Sequence, residues 1–259
     1  YDPILLQQLQ KKNIPIYILD GRPAFSKDLN KKNINFTKIP INKKFEIDKN
    51  IWVYGCLHEY NDIDSSLLIS NNNLSVYHGN DNFITEKTLL PFKKIIGNVD
   101  IACIPFAFIH FYPYLLDSLK KKDNKLEGKR LENLFMNYGI KQAKILNPKV
   151  IIPFGSNLFH LDAPKCPMNK AVATPVDFVN YAKKHHKKLK KNYKTMLSGS
   201  FCLKEQSKLN CYYEKISSKV FNKKLENFTI KKRNLLKFKK IKIKTTISSK
   251  NLKNIKDKI

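Results

Sequence analysis

The chain has 259 residues, of which 42% are hydrophobic, so it is long enough to bury the core of one large domain. It contains no run of about 18 apolar residues and no basic-then-apolar leader, so neither a membrane span nor a secretory signal is expected. The five cysteines form an odd set without a Cys-x-x-Cys pair. This pattern disfavours a disulfide framework, a zinc ribbon or an iron–sulfur site within the chain, and a reducing, cytoplasmic location follows.

The net charge of +28 is distributed unevenly along the chain. Residues 183–259 carry 25 Lys and Arg against four acidic residues, whereas residues 1–182 carry 24 basic and 17 acidic residues. Such a basic segment is suited to weak binding of nucleic acids or anionic surfaces. Only three of the 49 basic residues are Arg, which nucleic-acid-binding proteins favour, so a coding bias toward Lys, Asn and Ile is an alternative origin of the charge.

The spacing of the apolar residues predicts the helices and strands of the first half of the chain. Residues 3–12 have the period of a helix, and residues 14–19 follow as a strand. Residues 24–50 show only short amphipathic fragments, which predict strands and connecting loops. Residues 51–82 then indicate three short strands separated by polar breaks, with His58 in the first break.

The third of these strands ends in His78-Gly79-Asn80-Asp81-Asn82, a tight turn that presents a carboxylate. Carboxylates and imidazoles placed at strand ends are the oxygen and nitrogen ligands that metal ions require. Asp81 is therefore a candidate metal ligand. His58 is a second candidate, with a solvent-exposed loop histidine as the equal alternative. A β-hairpin without chemical function is the alternative for the whole stretch.

The second half predicts alternating helices and buried strands. A helix at 84–96, a strand at 99–105, a charged loop at 120–130, a helix at 130–146 and a strand at 149–154 follow one another.

An aromatic loop, residues 106–114, follows the strand at 99–105, and such strand ends commonly form substrate pockets. His110 and Tyr112 are the candidate pocket residues, whereas Phe106 and Phe108 are expected in the core.

Thr174 and Pro175 begin a further helix that runs into a solvated basic face around His185 and His186. A strand at 195–204 is expected to close the domain. We therefore predict one domain over residues 1–204 and a Lys-rich extension over residues 205–259, which is either a small appendage or partly disordered.

The segments Asp64–Ile69 and Val76–Asn82 resemble the second half of a metallo-β-lactamase-fold domain, in which a Gly-Asp-Thr-like turn supplies a metal-bridging Asp. The Asn80-Asp81-Asn82 variant looks most like the branch that holds the CMP-N-acetylneuraminate hydroxylases, with ascorbate-6-phosphate-lactonase-like hydrolases as close relatives. The resemblance implies an α/β fold, an αββα sandwich that lacks its N-terminal part. Tyr1 would begin just past the principal His-x-His-x-Asp-His ligand loop of the family.

The resemblance also implies the members of a site. Asp81 and His160 would bind metal and act in catalysis, with His58 as a further ligand and Asp162 orienting His160. The residues that would contact the substrate are His110, Tyr112, Asn80 and Asn82.

The implied cofactor is zinc or iron, as one or two ions. A metal-activated water would hydrolyse an ester, lactone or phosphoester of a small anionic substrate, a sugar nucleotide being one example. The first alternative is a sugar-nucleotide hydroxylase, which requires an iron–sulfur cluster on a separate upstream Rieske domain. The second is a non-catalytic RNA- or polyanion-binding protein that uses residues 183–259. An inactive fragment without the ligand loop is the third.

Overall fold

The computed structural model describes residues 2–58, 64–107, 112–114, 121–155 and 172–238. The helices of this part are α1 (Pro3–Lys11), α2 (Pro23–Lys31), α3 (Glu86–Ile96), α4 (Lys121–Leu146), α5 (Pro175–His185) and α6 (Ser218–Phe238), with a 3-10 turn at Lys187–Leu189. The strands are β1 (Tyr17–Leu19), β2 (Thr37–Ile39), β3 (Lys44–Asp48), β4 (Ile51–Leu57), β5 (Ser65–Asn71), β6 (Ser75–His78), β7 (Ile101–Pro105), β8 (Val150–Phe154), β9 (Phe201–Glu205) and β10 (Lys208–Tyr212). None of the described helices is both long and apolar enough to cross a lipid bilayer.

The central element is a six-stranded mixed sheet in which the spatial order of the strands, β3 to β8, is also their order along the chain. Neighbours from β3 to β6 are antiparallel, and β6, β7 and β8 are parallel. A parallel pair, β1–β2, and an antiparallel hairpin, β9–β10, complete the described strands. A parallel bridge between Ile41 and Gly55 connects the end of β2 to β4.

Three clusters of buried side chains define four layers. The largest cluster lies between one face of the six-stranded sheet and helices α3, α4 and α5. A second joins the opposite face, near β3, β4 and β5, to the β1–β2 pair. The third lies between β1–β2 and helices α1 and α2. The order is therefore helix, sheet, sheet, helix, which confirms the predicted α/β class and its αββα sequence of layers.

Local sequence signals explain several helix ends. The Asp2 side chain accepts hydrogen bonds from two backbone amides at the start of α1. Thr174 and Asp177 form a capping box at the start of α5, with Pro175 in the first turn, as predicted.

Two elements differ from the prediction. Residues 24–50 were expected to hold only strands and loops, but helix α2 occupies Pro23–Lys31. The expected charged loop at 120–130 is the beginning of helix α4. The pair Glu127–Arg130, at helical spacing, supports this first part of α4 in place of apolar contacts.

The β9–β10 hairpin packs near the start of the parallel strands and spans the predicted domain boundary at residue 204. The Lys204 ammonium forms an ion pair with Asp100, at 3.1 Å, and donates a hydrogen bond to the Asn73 carbonyl oxygen. Helix α6 follows the hairpin and contacts α5 through a hydrogen bond from Asn180 to Ser218.

Candidate functional site

The candidate site lies at one edge of the six-stranded sheet. Because β4, β6, β7 and β8 run in the same direction, their carboxyl ends meet at this edge. The β1–β2 pair runs parallel to β4 through the Ile41–Gly55 bridge, so its carboxyl ends also point there. Loops that follow parallel strands are where α/β proteins place binding residues.

The loop after β6 is held closely by its neighbours. The Gly79 amide donates a hydrogen bond to the Cys103 carbonyl oxygen at 2.8 Å, and the Ser66 hydroxyl donates to the Gly79 carbonyl oxygen at 3.1 Å. A β-carbon at Gly79 would lie 2.5 Å from Cδ of Pro105, so only glycine permits this approach to β7. The turn that carries Asp81 is therefore fixed to the sheet.

Asp81 lies beside the end of β8. A β-carbon added to Gly155 would be 3.2 Å from Asp81 Oδ1, and the Gly155 φ of +71° favours glycine. The Asp81 side chain is exposed and forms no hydrogen bond or ion pair with the described residues. The loop after β6 and the start of the segment that follows β8 thus meet at one place.

His78 lies next to Asp81 and was not singled out by the sequence. Its ring contacts the Phe154 ring edge-on, with centroids 4.2 Å apart. Burial lowers the pKa of His78, and the negative charge of Asp81 acts in the opposite direction. Burial therefore favours the neutral imidazole, which has a nitrogen lone pair available. Its position at the end of β6 was the signal that could have identified it.

Asn82, expected to contact substrate, lies beneath the loop. Its side chain is fully buried, and neither Oδ1 nor Nδ2 has a hydrogen-bond partner within the part of the chain that the structure describes. The Gln142 side chain, on α4, donates a hydrogen bond to the Asn82 carbonyl oxygen at 3.4 Å, while its own Oε1 is buried with no partner among the described residues. The residue that follows Asp81 is therefore buried and connected to α4 through its backbone carbonyl oxygen.

His58 and Arg22 lie at the same edge, farther from Asp81 along the sheet. The His58 amide donates a hydrogen bond to the Asp64 carbonyl oxygen at 2.9 Å, so the chain leaves β4 and returns to β5 at this point. Arg22 follows β1, and its Nε and Nη2 atoms are buried without a hydrogen-bond partner in the described chain. The sequence analysis placed Arg22 only in a turn, although it is one of three arginines.

Of the other predicted residues, Tyr112 is at the surface near the start of α4. Its hydroxyl donates a hydrogen bond to Glu127 Oε1 at 3.2 Å, and Glu127 also pairs with Arg130. Desolvation and the neighbouring Glu127 carboxylate raise the pKa of Tyr112. Asn80 adopts a positive φ of 50°, a conformation that asparagine tolerates in turns. His110, His160 and Asp162 lie outside the described residues.

The donor set for a metal ion is partial. No group of three or more His, Cys, Asp and Glu side chains within the described ranges could hold an ion. Asp81 and His78 nevertheless supply a carboxylate and a neutral imidazole, the donor types that zinc and iron accept. His160 follows Gly155 by five residues, so its segment starts beside the Asp81 carboxylate.

No protein-family model matches the sequence, and no curated protein matches it significantly. The solved structures to which the chain is similar include members of the metallo-β-lactamase superfamily. An isothiocyanate hydrolase from Delia radicum gut bacteria is 9% identical, with a TM-score of 0.42, over 71% of this chain and 65% of that one.

Two further structures show the same level of similarity. The diiron β-hydroxylase CmlA from Streptomyces venezuelae is 13% identical, with a TM-score of 0.39, over 61% of this chain and 33% of its own. The metallo-β-lactamase fold protein YhfI from Bacillus subtilis is 14% identical, with a TM-score of 0.35, over 60% of this chain and 57% of its own. The chain therefore spans between about a third and two thirds of the length of these structures.

Proposed function

We propose that the chain is part of a metal-dependent hydrolase of the metallo-β-lactamase type that acts on a small anionic substrate. One observation carries this proposal: Asp81 lies on a loop fixed to the sheet, at the edge where β4, β6, β7 and β8 end, and its carboxylate has no hydrogen bond or ion pair with the described residues. An unpaired carboxylate on a rigid loop is suited to a ligand because it needs no rearrangement before binding.

In this proposal Asp81 and His160 hold a zinc or iron ion, with His78 and His58 as further nitrogen donors. The bound ion would lower the pKa of a coordinated water so that it attacks an ester, lactone or phosphoester. Residues around these ligands hold them in position. The Phe154 ring covers one side of His78 and limits its rotation, and the Gly79 contacts keep the Asp81 carboxylate in place.

Arg22 is our candidate for substrate recognition. Its guanidinium has two donor atoms without partners in the described chain, at the same edge as Asp81. Guanidinium groups bind carboxylates and phosphates through paired hydrogen bonds, so Arg22 favours an anionic substrate. An Arg22→Lys change keeps the charge but removes this paired geometry. It should raise KM for an anionic substrate more than for a neutral one.

The metal content of the purified protein tests the proposal. We expect about one to two equivalents of zinc or iron by plasma mass spectrometry, and an at least ten-fold weaker zinc affinity in Asp81→Ala. Asp123→Ala, which removes an exposed carboxylate on α4, is the matched control and should bind zinc normally. The hydrolysis of p-nitrophenyl acetate and bis(p-nitrophenyl) phosphate should fall with the zinc content. Absence of bound metal, or equal affinity in both variants, would refute the proposal.

A second candidate function is supported by a basic cleft, which we define by Lys183, Lys190, Lys191, Tyr193, Lys194 and Tyr213. The cleft has a volume of about 430 Å³. None of its four ammonium groups forms an ion pair with the described residues, and the Lys194 ammonium lies 5.6 Å from the centre of the Tyr213 ring. Converging positive charges beside aromatic rings favour the phosphates of a polyanion such as single-stranded RNA.

Binding of a fluorescent oligouridylate tests this second function. The affinity should fall steeply between 50 and 200 mM salt, roughly in proportion to the number of phosphates contacted. The double change Lys190→Ala and Lys191→Ala should weaken binding about ten-fold, whereas the same change at Lys11 and Lys12, exposed at the far end of α1, should have little effect. Equal losses in the two double variants would show that only the net charge matters.

A further inference from the structure

Two cysteine thiols meet in the β9–β10 hairpin. Cys202 on β9 lies directly opposite Cys211 on β10 in the antiparallel register. Their sulfur atoms are 2.6 Å apart, although both thiols are free in the structure. Both side chains are half-buried, on the face of the hairpin that carries Lys204 toward Asp100. The sequence indicated no disulfide framework, because nothing in the cysteine spacing shows that a turn at 206–207 pairs these positions.

The backbone already meets the requirement of a disulfide. Residues directly opposite in antiparallel strands have Cα atoms about 4.5 or 5.5 Å apart, and both values lie within the range of about 4.4–6.8 Å seen across disulfides. The thiols therefore need only rotate about their χ1 bonds. We propose that Cys202 and Cys211 are a redox-active pair. They form a reversible disulfide with each other, and a low-molecular-weight disulfide such as oxidised glutathione is the oxidant.

The exchange proceeds in two balanced steps. The thiolate of one cysteine attacks a sulfur of the small disulfide, so a mixed disulfide forms and one small thiolate leaves. The second cysteine, as its thiolate, then attacks the protein sulfur of the mixed disulfide and releases the second small thiolate. The two protons lost by the protein are taken up by the two released thiolates. The protein pair is oxidised by two electrons and the small disulfide is reduced by two.

The surroundings make this a slow exchange. Burial, the hydrogen bond to Cys211 and the charge of Cys211 raise the pKa of Cys202 to about 12. Cys103, on β7, acts in the same direction, and burial raises its own pKa to about 11. Since only thiolates attack, the step in which Cys202 is the nucleophile should accelerate about ten-fold for each unit of pH between 7 and 9. Cys103 is a competing thiol close enough to act on Cys202, and the direct cross-strand register of Cys202 and Cys211 favours the pair within the hairpin.

Oxidation would fix the hairpin. A covalent bond between the strands restricts the turn between them and the position of Lys204, which joins the hairpin to Asp100. The oxidised hairpin should therefore open less often than the reduced one. Trypsin should cleave after Lys204 and Lys208 several times more slowly in the oxidised protein.

Peptide mapping after incubation with glutathione disulfide at pH 8 provides the main test. We quench the native protein with iodoacetamide, digest it with trypsin, and expect the peptide that ends at Lys204 to be linked to the peptide that begins at Leu209. The linked species should lose about 2 Da relative to the sum of its parts, and dithiothreitol should separate it. Two free thiols should disappear from the intact protein.

Single variants identify the partner. Cys103→Ser and Cys56→Ser should form the same linkage as the unchanged protein. Cys211→Ser should instead hold one glutathione on Cys202, and circular dichroism verifies that this variant is folded. The proposal is wrong if both hairpin cysteines are fully alkylated after oxidation of the folded protein. It is equally wrong if Cys202 links to Cys103 while Cys211 stays free.

Discussion

The six-stranded sheet has one carboxylate with several internal partners at the edge where its parallel strands begin, which we call the closed edge. It has another, without such partners among the described residues, at the edge where those strands end, which we call the open edge. At the edge where the parallel strands begin, Asp100 is 7% exposed and accepts hydrogen bonds from Lys149, Lys204 and the Ser75 amide. At the edge where they end, Asp81 is exposed and has no hydrogen bond or ion pair with the described residues. The first carboxylate joins four elements of the fold. The Asp81 carboxylate is held in place by its loop but remains available to bind a ligand.

The difference separates structural from functional charge. A buried carboxylate is tolerated only when partners replace its water, as the lysines and Ser75 do for Asp100. Asp81 is exposed, while the side-chain amides of Asn82 and Gln142 are buried and incompletely paired within the described chain. Buried polar groups without full hydrogen bonding lower the free energy of unfolding, and proteins keep such destabilising groups mainly at functional sites.

The largest expected effect is on stability at the closed edge. Asp100→Ala removes the acceptor of the Ser75 amide and the ion-pair partner of Lys204, which keeps only the Asn73 carbonyl oxygen. The variant should therefore lower the free energy of unfolding by about 2–3 kcal/mol, less than for a fully buried pair because Lys149 is exposed. Asp81→Ala should change it by less than about 0.5 kcal/mol. Urea unfolding measures both values, and equal losses would abolish the contrast between the two edges.

A smaller effect of opposite sign is expected at the open edge. Asn82→Leu replaces a fully buried amide that has no side-chain partner in the described chain by an apolar group of similar size. It should raise the free energy of unfolding by up to about 1 kcal/mol while weakening zinc binding at Asp81. Ser66→Ala is the control. Its hydroxyl donates to Gly79 and accepts from Tyr77, so this variant should lose about 1 kcal/mol. A destabilised Asn82→Leu would mean that the amide is satisfied in solution.

A pH-dependent effect is expected at His186, which is buried and contacts the Tyr193 hydroxyl through Nδ1 at 2.8 Å. Burial, followed by the charges of Lys144 and Lys188, lowers the pKa of His186 below its ordinary value of 6.5. The unfolded chain therefore binds a proton that the native protein resists, so stability present at neutral pH is lost as the pH falls below about 6.5. Urea unfolding at pH 7.5 and 5.0 should show a smaller difference for His186→Gln than for the unchanged protein. An identical difference would contradict the lowered pKa.

The smallest effect is expected from removing Lys149, one of the two lysines that pair with Asp100. The Lys149 side chain is 54% exposed, and Asp100 retains Lys204 when Lys149 is removed. Lys149→Ala should therefore lower the free energy of unfolding by only about 0.5 kcal/mol, and 0.5 M sodium chloride should reduce that loss. Lys204→Ala, whose side chain is mostly buried, should cost more. The reverse order would show that the exposed lysine is the principal partner of Asp100.

The sequence predicted the elements whose residues have a strong local pattern. The strands within 51–82 and the helix that begins at Thr174 are present, because alternating apolar residues and a capping box act over a few residues. Helix α2 was missed since only Phe25 and Leu29 mark its apolar face. The start of α4 was missed for a related reason, as its Lys and Glu residues are helix formers that also occur in charged loops.

The site was predictable only in part. Asp81 stood out because a carboxylate follows a glycine at the end of a strand. Its approach to Gly155 is a contact between distant parts of the chain, and it depends on how β6, β7 and β8 align. The buried pair of Asn82 and Gln142 and the pair of Cys202 and Cys211 also depend on packing and register. No local signal marks such pairs.

The strictly sequential order of the six-stranded sheet has a consequence for synthesis on the ribosome. Each strand from β4 to β8 adds to the strand made just before it, so no strand has to wait for a later one to separate two neighbours. We expect the nascent chain to gain protease resistance in steps as successive strands leave the exit tunnel. Arrested chains that end after β6, β7 and β8, each followed by a linker long enough to span the tunnel, would show those steps. A single late step would indicate that the sheet forms all at once.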